Sequence, residues 1–238
     1  MKTILTSILV KLLTTGMIAD PIHNASAQGD LAGLMEELDK GVDPNLKSAS
    51  NSTPPLLLSV LNAHINTAKL LMKKGANLEG KDKFGNTSLH YTAKNGYKKI
   101  IAILIAQNVD VNAKNNAGET PLDIAADKET ADFLIKNNGK YGTFIGAVSG
   151  GNIGAIKEFV DAGTNVNKKI QHGWTPMHEA AVFGYTDVAR LLIKKGANIN
   201  AWDGYETPLD VSCADSELTK LLRKLGGKTG QELKYNDK

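Results

Sequence analysis

The chain has 238 residues, 42% of them hydrophobic and 22% charged, with 28 basic side chains against 25 acidic ones. A formal charge of +3 gives no electrostatic case for nucleic acid or an anionic membrane surface as a partner. The single cysteine, Cys213, excludes an internal disulfide.

The first predicted element, Met1–Ala19, has Lys2, an apolar run from Ile4 to Val10, then Lys11, Leu12, Leu13 and a stretch of small residues. It is similar to a secretory signal peptide, with Lys11 interrupting the apolar region. It is too short and too broken to anchor in a bilayer. Its removal would leave 26 basic against 25 acidic side chains. Ala25-Ser26-Ala27 is the best small-x-small cleavage motif, yet Ile22 to Asp30 also reads as a helix and turn that the next helix, Leu31 to Lys40, needs as its partner. Cleavage near Ala19, or near Gly16, is therefore expected in preference to Ala27, with the mature chain starting around Asp20.

Beyond residue 20 one pattern recurs: Thr87-Ser88-Leu89-His90, Thr120-Pro121-Leu122-Asp123, Thr175-Pro176-Met177-His178 and Thr207-Pro208-Leu209-Asp210. Thr87 and Thr120 are 33 residues apart, Thr175 and Thr207 are 32. In each start the Thr is placed to cap a helix, and in three of the four a Pro occupies the first helical position, where its missing N–H costs nothing. The third residue faces the core. A period near 33 with a Thr-Pro-Leu-His start resembles the ankyrin repeat.

That resemblance implies an all-α solenoid of helix-turn-helix repeats with short β-hairpin loops, its core a continuous strip between neighbours. It also implies that the imidazoles of His90 and His178 bond to backbone near the neighbouring turn. A second ruler keeps the register. Gly29/Gly41, Gly96/Asn108, Gly151/Gly163 and Gly184/Gly196 mark successive helix ends, each pair 12 residues apart. The second of each pair calls for a left-handed backbone, which Gly takes freely and Asn takes next most readily. Runs such as Asp110-Val111-Asn112 and Ala197-Asn198-Ile199-Asn200 lead into hairpins tipped by Lys81 to Phe84, Lys114 to Ala117, Lys168 to His172 and Trp202 to Tyr205.

Seven repeats begin near residues 20, 52, 86, 119, 142, 174 and 206. In repeat two, Thr53-Pro54-Pro55-Leu56 replaces the usual start, and 34 residues separate Thr53 from Thr87, which predicts a first helix about one residue longer. Repeats four and seven carry Asp123 and Asp210 where the motif His belongs, predict a contracted first helix ending near Asp127 and Asp215, and finish on Gly139-Lys140 and Gly227-Lys228 with no following hairpin. The expected organisation is a leader at 1–19, repeats one to four at 20–140, repeats five to seven at 141–228, and a loose polar tail at 229–238. Cys213 aligns with Ala181, which predicts a small buried thiol. The pairs Lys73-Lys74 and Lys194-Lys195 precede a helix-ending Gly, where cations complement the last carbonyls.

No chemistry-bearing constellation emerges. Gly227-Lys228-Thr229 is the end of a phosphate-loop pattern that requires Gly at position 222, where Leu222 stands. The five histidines have no i, i+4 pairing with an acid between them, and Ser and Asp are scattered over capping and turn positions. No catalytic residue, cofactor or metal is therefore expected, and an enzyme is not the expected reading.

The resemblance places contacts on hairpin tips and the exposed side of the first helices. In this chain those positions hold Phe84, Tyr91, Lys94, Asn95, Trp174, Glu179, Val182, Phe183, Trp202 and Tyr205. Large aromatics on a polar rim anchor protein interfaces. Trp174 reads equally as hairpin scaffold or as anchor, Trp202 and Tyr205 read as anchors, and Tyr97 and Tyr185 read as structural. The expected function is a non-enzymatic protein–protein interaction scaffold, an exported accessory or binding protein in a periplasm or outside the cell. The alternatives are a secreted effector acting on another cell, or a small-molecule binder or enzyme at the junction of the two modules. The partner's identity does not follow from the sequence, because one fold serves many functions.

Overall fold

The computed structural model describes residues 20–49 and 52–236; the expected leader, Met1–Ala19, lies outside the described residues. The chain divides into two compact units, one ending at Gly142 and one beginning at Thr143. The N-terminal unit holds α1 (Pro21–Gln28), α2 (Leu31–Asp39), α3 (Pro55–Leu61), α4 (Ile65–Lys73), α5 (Ser88–Asn95), α6 (Lys98–Ala106) and α7 (Lys128–Lys136). The C-terminal unit holds α8 (Phe144–Ser149), α9 (Ile153–Asp161), α10 (Pro176–Val182), α11 (Thr186–Lys194), α12 (Glu217–Lys224) and α13 (Gly230–Asn236). Within each unit the first helices of successive repeats stack, α1 on α3 on α5 and α8 on α10, and each packs against the second helix of its own repeat.

Spacing explains which face is buried. In α11, Val188, Ala189 and Leu192 are buried, and in α12 so are Leu218 and Leu222, the three- and four-residue steps of one helical stripe. Ile22, Leu34, Leu56, Leu71, Leu89, Ile101, Leu104 and Leu134 form one contiguous core in the N-terminal unit. Each such side chain is stabilised by roughly 1.5–3 kcal/mol relative to exposure. The short α1 is part of this core: Ile22, His23 and Ser26 are fully buried.

Among the described residues there is no strand. The loops reverse like hairpins, each with one backbone bond across its base, Asp82 N to Asn86 O at 3.1 Å, Asn115 N to Glu119 O at 2.9 Å and Ile170 N to Trp174 O at 2.8 Å, and one inside the turn, from Gly85, Gly118 and Gly173 N to the Asp82, Asn115 and Ile170 carbonyls. Side chains supply the rest. Asp82 Oδ1 accepts the amides of Phe84 and Asn86, both at 2.9 Å, and Asp203 Oδ1 accepts those of Tyr205 and Glu206, both at 2.7 Å. At the helix ends Gly41, Gly163 and Gly196 have φ of 86°, 88° and 87°, and Asn108 joins them at 58°.

Four expectations need correction. The extra residue of repeat two does not lengthen its helix: α3 has 7 residues against 8 in α5. Pro54 stays extended at ψ 155° as the N-cap, because the residue before a proline is driven out of the helical region. Repeats four and seven have no first helix at all; residues 121–124 and 208–211 form only turns. That loss of helical register carries Cys213 out of line with the buried Ala181, and the thiol is exposed. Residues 229–236 of the tail are not loose, since Thr229 and Glu232 form a reciprocal cap that starts α13, with Thr229 N donating to Glu232 Oε2 at 2.6 Å and Glu232 N to Thr229 Oγ1 at 3.2 Å. The Thr229 amide, with Arg223 at 2.6 Å, holds the Glu232 carboxyl down to about 2.

Candidate functional site

Two sets of polar contacts between repeats hold the loops that carry the candidate residues. The first is built on the motif position. His90 Nδ1 accepts the Thr87 amide at 3.2 Å, so its Nε2 carries the proton and faces the Glu119 carbonyl at 3.1 Å. His178 repeats this with the Thr175 amide at 3.1 Å and the Glu206 carbonyl at 3.4 Å. Burial pushes both imidazoles below the ordinary histidine range. In repeat one His23 Nε2 likewise reaches the following loop, at the Leu46 carbonyl 2.8 Å away, but its Nδ1 accepts no N-cap amide and stands 3.4 Å from the Asp20 carboxylate. That role was legible in Asp20-Pro21-Ile22-His23, where Asp takes the place of the usual Thr.

In repeats four and seven the polarity of the neighbour is reversed. With no hairpin to follow, the chain turns at Gly139 and Gly227, and a Cβ there would stand 2.8 Å from the carbonyl oxygens of Leu134 and Leu222. What then faces the motif position is an amide. Asp123 Oδ2 accepts from Thr120 N and from Gly142 N, both at 2.7 Å. Asp210 Oδ2 accepts from Thr207 N at 2.8 Å and from Gly230 N at 2.7 Å. A neutral histidine already bonded to the Thr amide has only a donor left for the neighbour, whereas a carboxylate oxygen accepts from both.

The second set is a row of asparagine clamps. Asn45 Nδ2 donates to the Gly75 carbonyl at 3.3 Å and its Oδ1 accepts the Asn77 amide at 2.6 Å. Asn112 spans Asn138 O and Lys140 N at 3.0 and 2.7 Å. Asn167 spans Gly196 O and Asn198 N at 2.9 and 2.7 Å, and Asn200 spans Gly226 O and Lys228 N at 3.2 and 2.7 Å. In repeat two Glu79 stands at this place and accepts the Asp110 amide at 2.6 Å. The sequence signal was the second polar residue of each Asp-x-Asn or Asn-x-Asn run. At the second-helix ends Lys74 and Lys195 reach Asp39 and Asp161 of the preceding repeat at 3.0 and 3.1 Å.

On this frame the candidate contact residues separate. In the N-terminal unit Phe84 is 57% exposed at a loop tip with Lys83 Nζ 5.1 Å from its ring, and Lys94 is exposed on α5. Tyr91 is half-buried, and its hydroxyl donates to the same Asp82 that holds the Phe84 loop. Burial, with Asp82 beside it, drives that hydroxyl far above the ordinary tyrosine range, so Tyr91 ties helix to loop. In the C-terminal unit Trp174 is scaffold. It stacks on His178 at 5.5 Å. Trp202 is half-buried under α13, with Lys234 Nζ 5.1 Å from its ring and no room for a Cβ at Gly230 beneath it. Tyr205 is 85% and Phe183 50% exposed. Phe183 stacks on Tyr185 at 5.6 Å, and Tyr185 in turn packs over Gly151.

Glu179 is half-buried on α10 and accepts a hydrogen bond from Ser149 Oγ at 3.2 Å. Burial raises its carboxyl, and the Ser149 bond offsets that in part. Among the described residues, no ion pair involves it. No group of three or more His, Cys, Asp or Glu among them has the arrangement of a metal site, and no described helix is long and apolar enough to cross a membrane.

A sequence model of the family described as ankyrin repeats matches three times, at residues 22–115, 80–145 and 144–236. A rice protein, the probable E3 ubiquitin-protein ligase XBOS33, is 28% identical over 194 residues, 81% of this chain. The chain spans only about a third of that relative's length, 34%. Among solved structures, the ankyrin repeat domain of Bcl-3, a member of the IkappaB protein family, aligns with a TM-score of 0.53 at 23% identity, over 86% of this chain and 98% of that one. The human ASB11 ankyrin repeat domain gives 0.53 at 24% identity, over 86% and 97%.

Proposed function

The chain belongs to the ankyrin-repeat family, and from that membership we propose that it is a non-enzymatic protein-binding module. The observation that carries this reading is the contrast between its aromatic residues. Trp174, Trp202 and Tyr91 are used internally, whereas Phe84, Phe183 and Tyr205 project from a frame already held by the histidine, aspartate and asparagine contacts. Exposed rings on a rigid support bind with little loss of side-chain entropy, and such rings are the usual energetic centres of protein interfaces. The ligase activity in the rice relative's name is said of a protein of which this chain spans only 34%, and is not part of this proposal.

The experiment is capture from host extract with tagged residues 20–238, beside a variant carrying Phe84→Ala, Phe183→Ala and Tyr205→Ala. A stoichiometric partner retained by the parent and lost by the variant, at equal helical circular dichroism, supports the reading. A partner that the variant holds equally well would remove these residues from the interface. We also propose export of the mature chain, supported by Lys2 and the apolar run Ile4 to Val10; the burial of Ile22 and Ser26 in α1, which cleavage after Ala27 would discard, favours a start near Asp20. Mass spectrometry of the amino terminus in fractionated cells tests it. A start near Asp20 in the envelope or medium supports export, and an intact Met1 in the cytoplasm overturns it.

A further inference from the structure

Glu179 and Val182 of α10 and its C-cap Phe183 stand at i, i+3 and i+4, along one face of that helix end. Val182 is 44% and Phe183 50% exposed, so an apolar surface adjoins a half-buried carboxylate. Several other carboxylates among the described residues have a cation or backbone amides to hold them: Asp161 has Lys195, Glu217 has Arg190, and Asp82 and Asp203 have loop amides. On Glu179 the contact among the described residues is the Ser149 hydroxyl. A carboxylate that has lost part of its hydration and gained neither cation nor amide is electrostatically unsatisfied.

We propose that this face of α10 receives a basic side chain, arginine or lysine, flanked by an apolar residue in a segment of the protein partner. The proposal rests on the interaction reading above and deepens it by stating the partner's chemistry. A guanidinium matches the carboxylate with paired N–H donors and lies over the Phe183 ring, whose negative face attracts it. The neighbouring apolar side chain covers Val182, which otherwise faces water. Phe183 is held by its stack on Tyr185, so little ordering is required on binding. Glu179 thereby selects the partner by charge, and Phe183 and Val182 supply contact area.

The test uses a random linear dodecapeptide library displayed on phage, panned against the full mature chain and against Glu179→Gln. Glutamine keeps the shape and an acceptor for Ser149, so the variant folds, as its circular dichroism will show. The wild type is expected to enrich peptides with Arg or Lys beside an apolar residue. For a synthetic peptide of that kind, Glu179→Gln, Phe183→Ala or exchange of its Arg for norleucine should each weaken binding about tenfold, the scale of one charge-assisted contact. Enriched peptides without a basic preference would overturn the proposal, as would basic peptides indifferent to Glu179→Gln. Either result leaves the interaction reading standing, because the protein still binds peptides. Failure to enrich any peptide on the wild type also overturns the proposal, and the interaction reading then stands or falls on the extract capture alone.

Discussion

Asp123 Oδ2 accepts the backbone amide of Gly142 at 2.7 Å, at the motif position where His90 instead donates to the carbonyl of Glu119. The choice between His and Asp follows the polarity of what the next stretch of chain presents. Asp123→His is therefore expected to destabilise the N-terminal unit by about 1–3 kcal/mol, because two N–H groups would face each other unsatisfied. Urea unfolding together with hydrogen exchange at the Gly142 amide measures it. Unchanged protection of that amide would refute the account.

The pH dependence of stability should report on His90 and His178. Burial lowers both below the ordinary 6.5, so the unfolded chain binds their protons more readily than the folded one. Their contribution is fully present above about pH 6.5 and is lost as the pH falls through the lowered folded values. Denaturant midpoints at about pH 8 and about pH 5 bracket this window. The double variant His90→Gln, His178→Gln should lose less stability across the window than the parent does. Equal losses would assign the acid sensitivity elsewhere.

The clamp row predicts one loss and one gain. Asn167→Ala removes the bonds to Gly196 O and Asn198 N and is expected to cost about 1 kcal/mol, the usual net worth of an exposed hydrogen-bonded pair. Glu79 accepts only the Asp110 amide in its row. Glu79→Asn should add the missing carbonyl contact to the Asn108 turn and stabilise by about 0.5–1 kcal/mol. Thermal midpoints of both variants decide the matter, and a Glu79→Asn protein no more stable than its parent would count against the clamp.

Gly230 lies directly beneath the Trp202 ring. Gly230→Ala is expected to displace either the ring or α13, moving Trp202 into water. In a Trp174→Phe background the Trp202 emission should shift to longer wavelength, and proteolysis within 230–236 should accelerate. Emission and cleavage identical to the parent would mean that α13 does not cover Trp202.

Much of the frame was legible without coordinates because its signals are local. A Thr cap, a Pro at the first turn and a Gly or Asn with positive φ act within a few residues, and their recurrence at about 33 residues sets the repeat. The same holds for the exposed rings: Phe84, Phe183 and Tyr205 were candidates by position and are exposed in the structure. His23 was missed because Asp20 had replaced the expected Thr, and the asparagine clamps because their partners lie 26 to 32 residues on.

The sequence by itself determined the repeat, its period and the helix ends of the regular repeats, all products of short-range sterics and capping, whereas the first helices of repeats two, four and seven and the helix α13 escaped it. Only the tertiary structure decided which residues those repeats consume and which they leave free. Trp202 lies under α13, Cys213 turns outward where a helix shrinks to a turn, and Glu179 is half-buried without a cation. The Trp202 and Glu179 outcomes depend on what another stretch of chain brings opposite a side chain, and that pairing exists only once the elements have packed.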